Sequence, residues 1–285
     1  MILRSFAVGW RTGWQAFHYL SFDVVVGSVL SYYAASRLPD GTNAPDPRTA
    51  LVLGLAVWVI YTLDRLLDIR KPATPETARH AFHRRHQRVL TGAVAGAAVG
   101  AGVLAWGLPA AVWRMGLVLS AFTAAYLLLV SRLAIRSVGQ LWKEPLTALL
   151  FTAGIWGAAL SPHAVVPWPD VVLALLFGVL VFQSLLLYSW FEAHDPRAQT
   201  VTLVSWLQPE PAAALAEGLA LGVGTVVTMV SLIGVEHYQQ RFLFILLGMT
   251  AVHGLLVRYR PFFQQNDRYR VIGELVFWLP GLLGG

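Results

Sequence analysis

The chain contains no cysteine, which rules out disulfides, thiol catalysis and cysteine-ligated metals and leaves the redox compartment unmarked. Charge is also scarce. Only 13% of the 285 residues are Asp, Glu, Lys or Arg, against 56% hydrophobic, and the mean hydropathy is +0.60. A soluble domain carries about a quarter of its residues charged, so the balance points to a membrane protein. Alternating ten-residue patterns are missing, which argues against a membrane β-barrel. The first ten residues lack an apolar core followed by small residues, so no cleavable signal peptide is expected. Soluble stretches long enough to fold alone are absent as well, because the longest polar joint runs only from about 68 to 88.

What is present is a series of charge-poor stretches at the length a bilayer requires. About 20 apolar residues cross a hydrocarbon core of roughly 30 Å. The sequence predicts an all-α integral membrane protein forming one multi-pass domain over 1–285, with nine transmembrane helices near 17–36, 49–67, 89–106, 112–130, 142–160, 171–191, 211–232, 241–257 and 271–284. Pro280 interrupts the short ninth. Of the 21 Lys and Arg residues, 17 fall on one side of these spans and four, Arg37, Arg48, Arg114 and Arg241, on the other. The positive-inside rule then places the N-terminus in the cytoplasm and the C-terminus outside. The formal charge of +6 reflects this bias, and no nucleic-acid motif accompanies it. Trp106, Trp113 and Trp168 at outer joints, and Trp10, Trp14, Trp142, Trp190 and Trp206 at inner ones, are expected to form interfacial belts.

Carboxylates are nearly excluded from the apolar stretches, which makes the exceptions informative. Tyr61, Asp64 and Asp68, at i, i+3 and i+7, share one stripe at the cytoplasmic end of the second span. Like charges four residues apart at a helix C-terminus oppose both one another and the helix dipole, so a cation is needed. Arg65, Arg70 or Arg88 would supply it if these are ordinary end-of-helix charges. A metal shared with Glu192 and Asp195, which end the sixth span, would supply it otherwise. Magnesium suits one or two carboxylates completed by water and phosphate oxygens. The joint after the second span, rich in Arg and His and including Arg84, Arg85 and Arg88, reads either as a surface helix for anionic lipid or as a basic lid over an anionic ligand. Lys143 at the start of the fifth span is a diphosphate donor or an interface marker, and Glu144 is a favourable first-turn acid. Asp23, within two turns of the first span's start, is harder to dismiss as an ordinary charge, with His18 or a neighbouring helix as the alternative that would satisfy it, and His253 is expected to be packed.

Nine helices, an inside N-terminus and acidic motifs ending the second and sixth together resemble the UbiA-type intramembrane prenyltransferases. That family's second helix carries N-D-x-x-D-x-x-x-D, which places Ile60 and Tyr61 at the first Asn and Asp and keeps Asp64 and Asp68. Arg65 and Pro72 match residues common in that segment. Glu192 and Asp195 stand for the second motif, D-x-x-x-D, one residue closer together. Lys143 and Pro145 are similar to the start of the family's fifth helix. The resemblance implies a divergent branch that binds a polyprenyl diphosphate and transfers the prenyl group to an acceptor. It implies Asp64, Asp68, Glu192 and Asp195 as magnesium ligands, and Asp64 and Asp68 with Tyr61 as catalytic residues. Arg65, Lys143, Arg84, Arg85 and Arg88 would hold the diphosphate. The loss of the first acid leaves open a non-catalytic prenyl-lipid binder, and a transporter is the third reading.

Overall fold

The structure is a computed structural model that describes residues 13–70, 78–133, 138–194 and 202–284, and these form helices joined by short turns and loops, with no strand among them. In chain order the elements are α1 (13–19), α2 (Phe22–Ser36), α3 (Pro47–Asp68), α4 (Ala78–Arg85), α5 (Gln87–Ala105), α6 (Ala110–Arg132), a 3-10 turn Val138–Trp142 and α7 (Lys143–Leu160). They continue with α8 (Trp168–Ala193), α9 (Leu203–Leu207), α10 (Pro209–Leu232), α11 (His237–Arg258), α12 (Arg260–Gln264), α13 (Arg268–Leu275) and a 3-10 helix Val276–Gly284.

Six of these, α3, α5, α6, α8, α10 and α11, are long and apolar enough to cross a membrane. Local chemistry sets their limits. Asp46 caps α3 by accepting from the backbone N–H groups of Arg48 (3.1 Å) and Thr49 (3.0 Å), and Pro47 occupies the first helical position, where its missing N–H costs nothing. Pro209 opens α10 in the same way. The most deeply buried of the six is α8, with 50% of its apolar window inside the bundle against 11% for α5, so α8 is the central post. Phe177, Leu180 and Leu173 of α8 pack with Trp156 and Ile155 of α7 and with Phe242 and Leu246 of α11. The outward faces are apolar too, with Val89, Val99 and Val103 of α5, Phe122 and Leu128 of α6 and Leu221 of α10 exposed. This is the inverse of a water-facing surface and matches a hydrocarbon surround.

Two expected helices take a different form. The continuous span at 17–36 is broken at Ser21, whose backbone is left-handed (φ 58°, ψ 26°). Its N–H bonds back to the His18 carbonyl at 3.0 Å, closing a turn. A left-handed non-glycine residue costs about 1–2 kcal/mol, and the turn brings His18 against Asp23, an interaction a straight helix would not make at i, i+5. The expected ninth helix is α-helical only to Leu275 and then narrows to 3-10 around Pro280, because proline removes an amide donor and clashes with the preceding turn. Trp190 also departs from expectation. It is 7% exposed and donates from Nε1 to the Pro209 carbonyl (3.1 Å), so it is a packing residue, whereas Trp106, Trp142, Trp168 and Trp206 are exposed.

Side-chain contacts sort the helix ends into two groups. One end holds Asp64, Asp68, Lys143, Glu192, Arg270, Glu274, His18 and Asp23. The opposite end holds the Tyr32 hydroxyl on the Asp46 carbonyl, Arg48 on the Gly107 carbonyl, and Gln239 on Asp170.

Candidate functional site

The last turns of α3 and the first turn of α7 build one wall of the polar end. Lys143 Nζ lies 4.0 Å from Asp64 and 3.8 Å from Asp68, and Arg65 Nη1 lies 4.0 Å and 3.9 Å from the same two carboxylates. The protein's own cations therefore compensate the aspartate pair, at separations longer than a hydrogen bond. Arg65 is one of the partners expected. Arg70 and Arg88 are exposed, and the second close cation is Lys143, brought across from α7. Tyr61, on the same stripe, has its ring edge-on to Phe151 at 6.5 Å and packs against the main core, with Asp64, Arg65 and Glu274 in electrostatic reach.

The opposite wall is assembled from chain segments far apart in sequence. His18 of α1 meets Asp23 in the first turn of α2 through Nδ1, and the same nitrogen lies 3.1 Å from Glu274 Oε2 of α13. Asp23 is 1% exposed. Its backbone is held by Trp278, whose Nε1 donates to the Asp23 carbonyl at 2.9 Å. Glu192, ending α8, is ion-paired with Arg270 of α13. Asp195 lies outside the described residues. Among the described residues, the three-membered set of His, Asp and Glu donor atoms lying within 4.8 Å of one another is His18, Asp23 and Glu274; Asp64, Asp68 and Glu192 form no such set.

Helix α4 roofs this end. Phe82 packs on Tyr19 at 5.6 Å, and His83, 1% exposed, donates from Nδ1 to the Arg79 carbonyl at 2.9 Å. Burial pushes the His83 imidazole below its ordinary value. The inward cation of α4 is Arg79, which faces Arg65, Glu274, Tyr269 and Asp64. Arg84, Arg85 and Arg88 are on the exposed side. The reason for Arg84 and Arg85 is helical geometry: with Arg79 and His83 inward at i, i+4, positions 84 and 85 turn outward, and Arg88 is exposed on the first turn of α5.

Three guanidinium groups, Arg65, Arg79 and Arg270, thus share one region. Burial, with the positive charge of Arg65 beside it, pulls Arg79 down to about 10. Burial, with Arg79 and Arg65, pulls Arg270 down to about 9. Cations are held here against desolvation and mutual repulsion, which is the electrostatic condition for accepting an anion. Several polar atoms are buried without a hydrogen-bond partner: Trp58 Nε1, Thr62 Oγ1 and Arg65 Nε on α3, Tyr188 Oη on α8 and Glu274 Oε2 on α13. Native interiors rarely leave such atoms unpaired, so water or a polar ligand is the expected partner of each; six further atoms of this kind are spread over α7, its C-terminal cap, α8 and α11.

No family model matches the sequence, and no curated protein or solved structure is detectably similar to it. The function has to be argued from these side chains.

Sequence reasoning singled out Asp64, Asp68, Arg65, Lys143, Tyr61 and Glu192, all of which lie at this end, together with Asp23 and His18. It assigned no role to Glu274, Arg79, Arg270 or Tyr188. A signal existed for Glu274, a single carboxylate in the otherwise apolar run 271–284, since an ionisable residue within such a run marks a functional position by default. Nothing local distinguishes Arg79 from Arg84 or Arg85, because their roles are fixed by the docking of α4. His253 is packed as expected, fully buried with Nδ1 2.9 Å from Gln183 Oε1.

Proposed function

We propose that the chain crosses the membrane nine times with its polar end in the cytoplasm, and that this end binds the diphosphate of a polyprenyl diphosphate for magnesium-dependent prenyl transfer to an acceptor in the bilayer. The six long apolar helices support membrane insertion. The remaining three crossings would be α2, α7 and the C-terminal segment. Residues 271–284 rise by roughly 25 Å as five α-helical and nine 3-10 residues, close to the hydrocarbon thickness.

The observation that carries the reading is the convergence of Arg65, Arg79, Arg270 and Lys143 at the mouth of an apolar bundle, beside a carboxylate pair ending α3. Arginine is suited to phosphate oxygens because its planar fork donates two parallel hydrogen bonds. Asp64 and Asp68 fit a magnesium ion: they are acid oxygens on one stripe, and Arg65 and Lys143 stand 3.8–4.0 Å from them, beyond hydrogen-bond distance. Glu192 would first have to leave Arg270, so it is the weaker ligand of the set. Bound magnesium would neutralise charge on the departing diphosphate. In the transfer, the allylic carbon–oxygen bond breaks with its electrons leaving on diphosphate, and the acceptor nucleophile bonds to the allylic carbon and loses a proton. The apolar interior below the site excludes water from the cation.

The test is direct. Purified protein is given a labelled prenyl diphosphate with and without magnesium. Magnesium-dependent release of diphosphate that is abolished in Asp64→Asn and Asp68→Asn supports transfer; no release and no binding in any condition refutes the reading. A second reading, binding without transfer, is favoured by Tyr61, whose packed ring stands where the related motif has its first acid. Saturable binding with no release across a broad acceptor panel would establish it.

A further inference from the structure

His18, Asp23 and Glu274 form a second constellation, set apart in chemistry from the aspartates of α3. Three observations bear on it. His18 Nδ1 faces two carboxylates at once, in contact with Asp23 Oδ2 and 3.1 Å from Glu274 Oε2, yet one imidazole nitrogen carries at most one proton to share. Glu274 Oε2 is buried, and its 3.1 Å contact with that shared nitrogen is an ion pair without hydrogen-bond geometry. Tyr188 Oη is a second buried atom lacking a partner, and it packs on Gly273, the residue beside Glu274, closely enough that a Cβ there would stand 2.6 Å from it.

Asp23 and Glu274 are also in side-chain contact with each other, so with both ionised the charges close only when a proton or a cation is held between them. Two carboxylates share one imidazole, with side chains only 1% (Asp23), 11% (His18) and 13% (Glu274) exposed. Arg79 and Arg270 also act on Glu274, but Arg270 is committed to Glu192 and neither is an ion-pair partner of Asp23.

We propose that His18 Nδ1, Asp23 Oδ2 and Glu274 Oε2 ligate a divalent first-row transition ion of the manganese-to-zinc class, with the remaining positions open. Metal bonds of about 2.0–2.2 Å put neighbouring ligand atoms roughly 3 Å apart, the separation seen between His18 and Glu274. An imidazole ligand selects against magnesium, which prefers an all-oxygen shell, so this ion is distinct from one held by Asp64 and Asp68. The ligands come from α1, α2 and α13, and the ion would tie the two ends of the chain together.

The test uses the full chain, purified in detergent and stripped with a chelator, then titrated with Mn2+ in excess Mg2+ to occupy sites made of carboxylates alone. One equivalent of Mn2+ is expected to bind, with pulsed electron paramagnetic resonance showing coupling to one imidazole nitrogen. His18→Ala should lose the nitrogen signal, and Glu274→Gln should weaken binding at least tenfold. Asp64→Asn combined with Asp68→Asn should leave both readouts intact. Absence of saturable binding, binding without nitrogen coupling, or a loss smaller than tenfold in Glu274→Gln overturns the proposal. The nitrogen coupling is read on the unsubstituted protein, so it decides even if a variant does not fold.

Discussion

Replacing Lys143 with Met tests the electrostatics of the α3 wall. Lys143 Nζ stands 4.0 Å from Asp64 and 3.8 Å from Asp68, and unit charges at about 4 Å attract by about 4 kcal/mol at an effective dielectric of about 20. The ammonium is 34% exposed and the carboxylates 21% and 16%, so solvent screening removes much of this, and the two pairs share one desolvation cost. Breaking a fully buried pair costs about 3–5 kcal/mol and an exposed pair about 0–1 kcal/mol. The intermediate burial here predicts a loss of about 1–3 kcal/mol in Lys143→Met. The loss arises because Asp64 and Asp68 then repel at a helix C-terminus with one of their two shared cations removed. A double-mutant cycle in detergent micelles isolates the term: Asp68→Asn in the Lys143→Met background should restore about 1 kcal/mol or more, whereas in the unsubstituted chain it should be destabilising. Thermal or denaturant unfolding followed by circular dichroism reads both. If the two substitutions simply add, within about 0.5 kcal/mol as distant sites do, Lys143 does not compensate the aspartate pair and the account of this wall is wrong.

Gly273→Ala should cost about 1–3 kcal/mol through overpacking, since its Cβ would meet Tyr188 at 2.6 Å. Gly100→Ala on α5, with nothing within 4 Å of the new Cβ, should be neutral or stabilising by up to about 1 kcal/mol through helix propensity; unfolding midpoints check the pair, and equal effects would refute the packing. Inorganic pyrophosphate should stabilise the fold by about 2.7 kcal/mol at 100 times its Kd, by relieving repulsion among Arg65, Arg79 and Arg270, read as a higher unfolding temperature, and Arg79→Gln should remove most of that gain; a shift of equal size in the variant sinks the anion site. Because the chain has no native cysteine, Arg85→Cys and Val165→Cys report topology with a membrane-impermeant thiol reagent. Position 165 should label in intact cells and position 85 only after permeabilisation, and the reverse pattern would overturn the orientation.

The apolar stretches were legible because each element's period and length are local properties. Eight of the nine expected stretches lie on a single helix or, at the C-terminus, on one helix continued as 3-10, and the first, 17–36, is broken at Ser21. That failure has a physical source. A left-handed serine has no compositional mark, and it is held by what it permits, the approach of His18 to Asp23 and of both to a residue some 250 positions away. Asp64 and Asp68 were legible as a costly pair for a related reason: the cost is local, written in i, i+4 spacing and helix direction. Their partner Lys143 was visible as a cation at the right end of the chain's topology, but its distance was set by packing between α3 and α7. The inward choice of Arg79 over Arg84 and Arg85 was hidden entirely in how α4 docks.

The polar end resolves into two walls with opposite demands. On the α3 wall, Arg65 and Lys143 stand 3.8–4.0 Å from Asp64 and Asp68, so under the proposed function an arriving anion would recruit the cations while an arriving cation would take the carboxylates. That exchange requires ion pairs longer than hydrogen bonds, and tight bidentate pairs would forbid it. On the α13 wall, Glu192 is already committed to Arg270, and His18 binds Asp23 closely while Glu274 Oε2 is left with no hydrogen bond. A ligand carrying both a diphosphate and its cation would satisfy the first wall alone. It would leave Glu274 as it is, unless Arg79 and Arg270, freed or drawn by the diphosphate, moved relative to it. If both walls bind as proposed, they would be coupled through those arginines, occupancy of one altering the charge felt by the other. Filling the His18, Asp23 and Glu274 set with a metal would reduce the anionic pull on Arg79 and Arg270 and so strengthen their hold on a diphosphate.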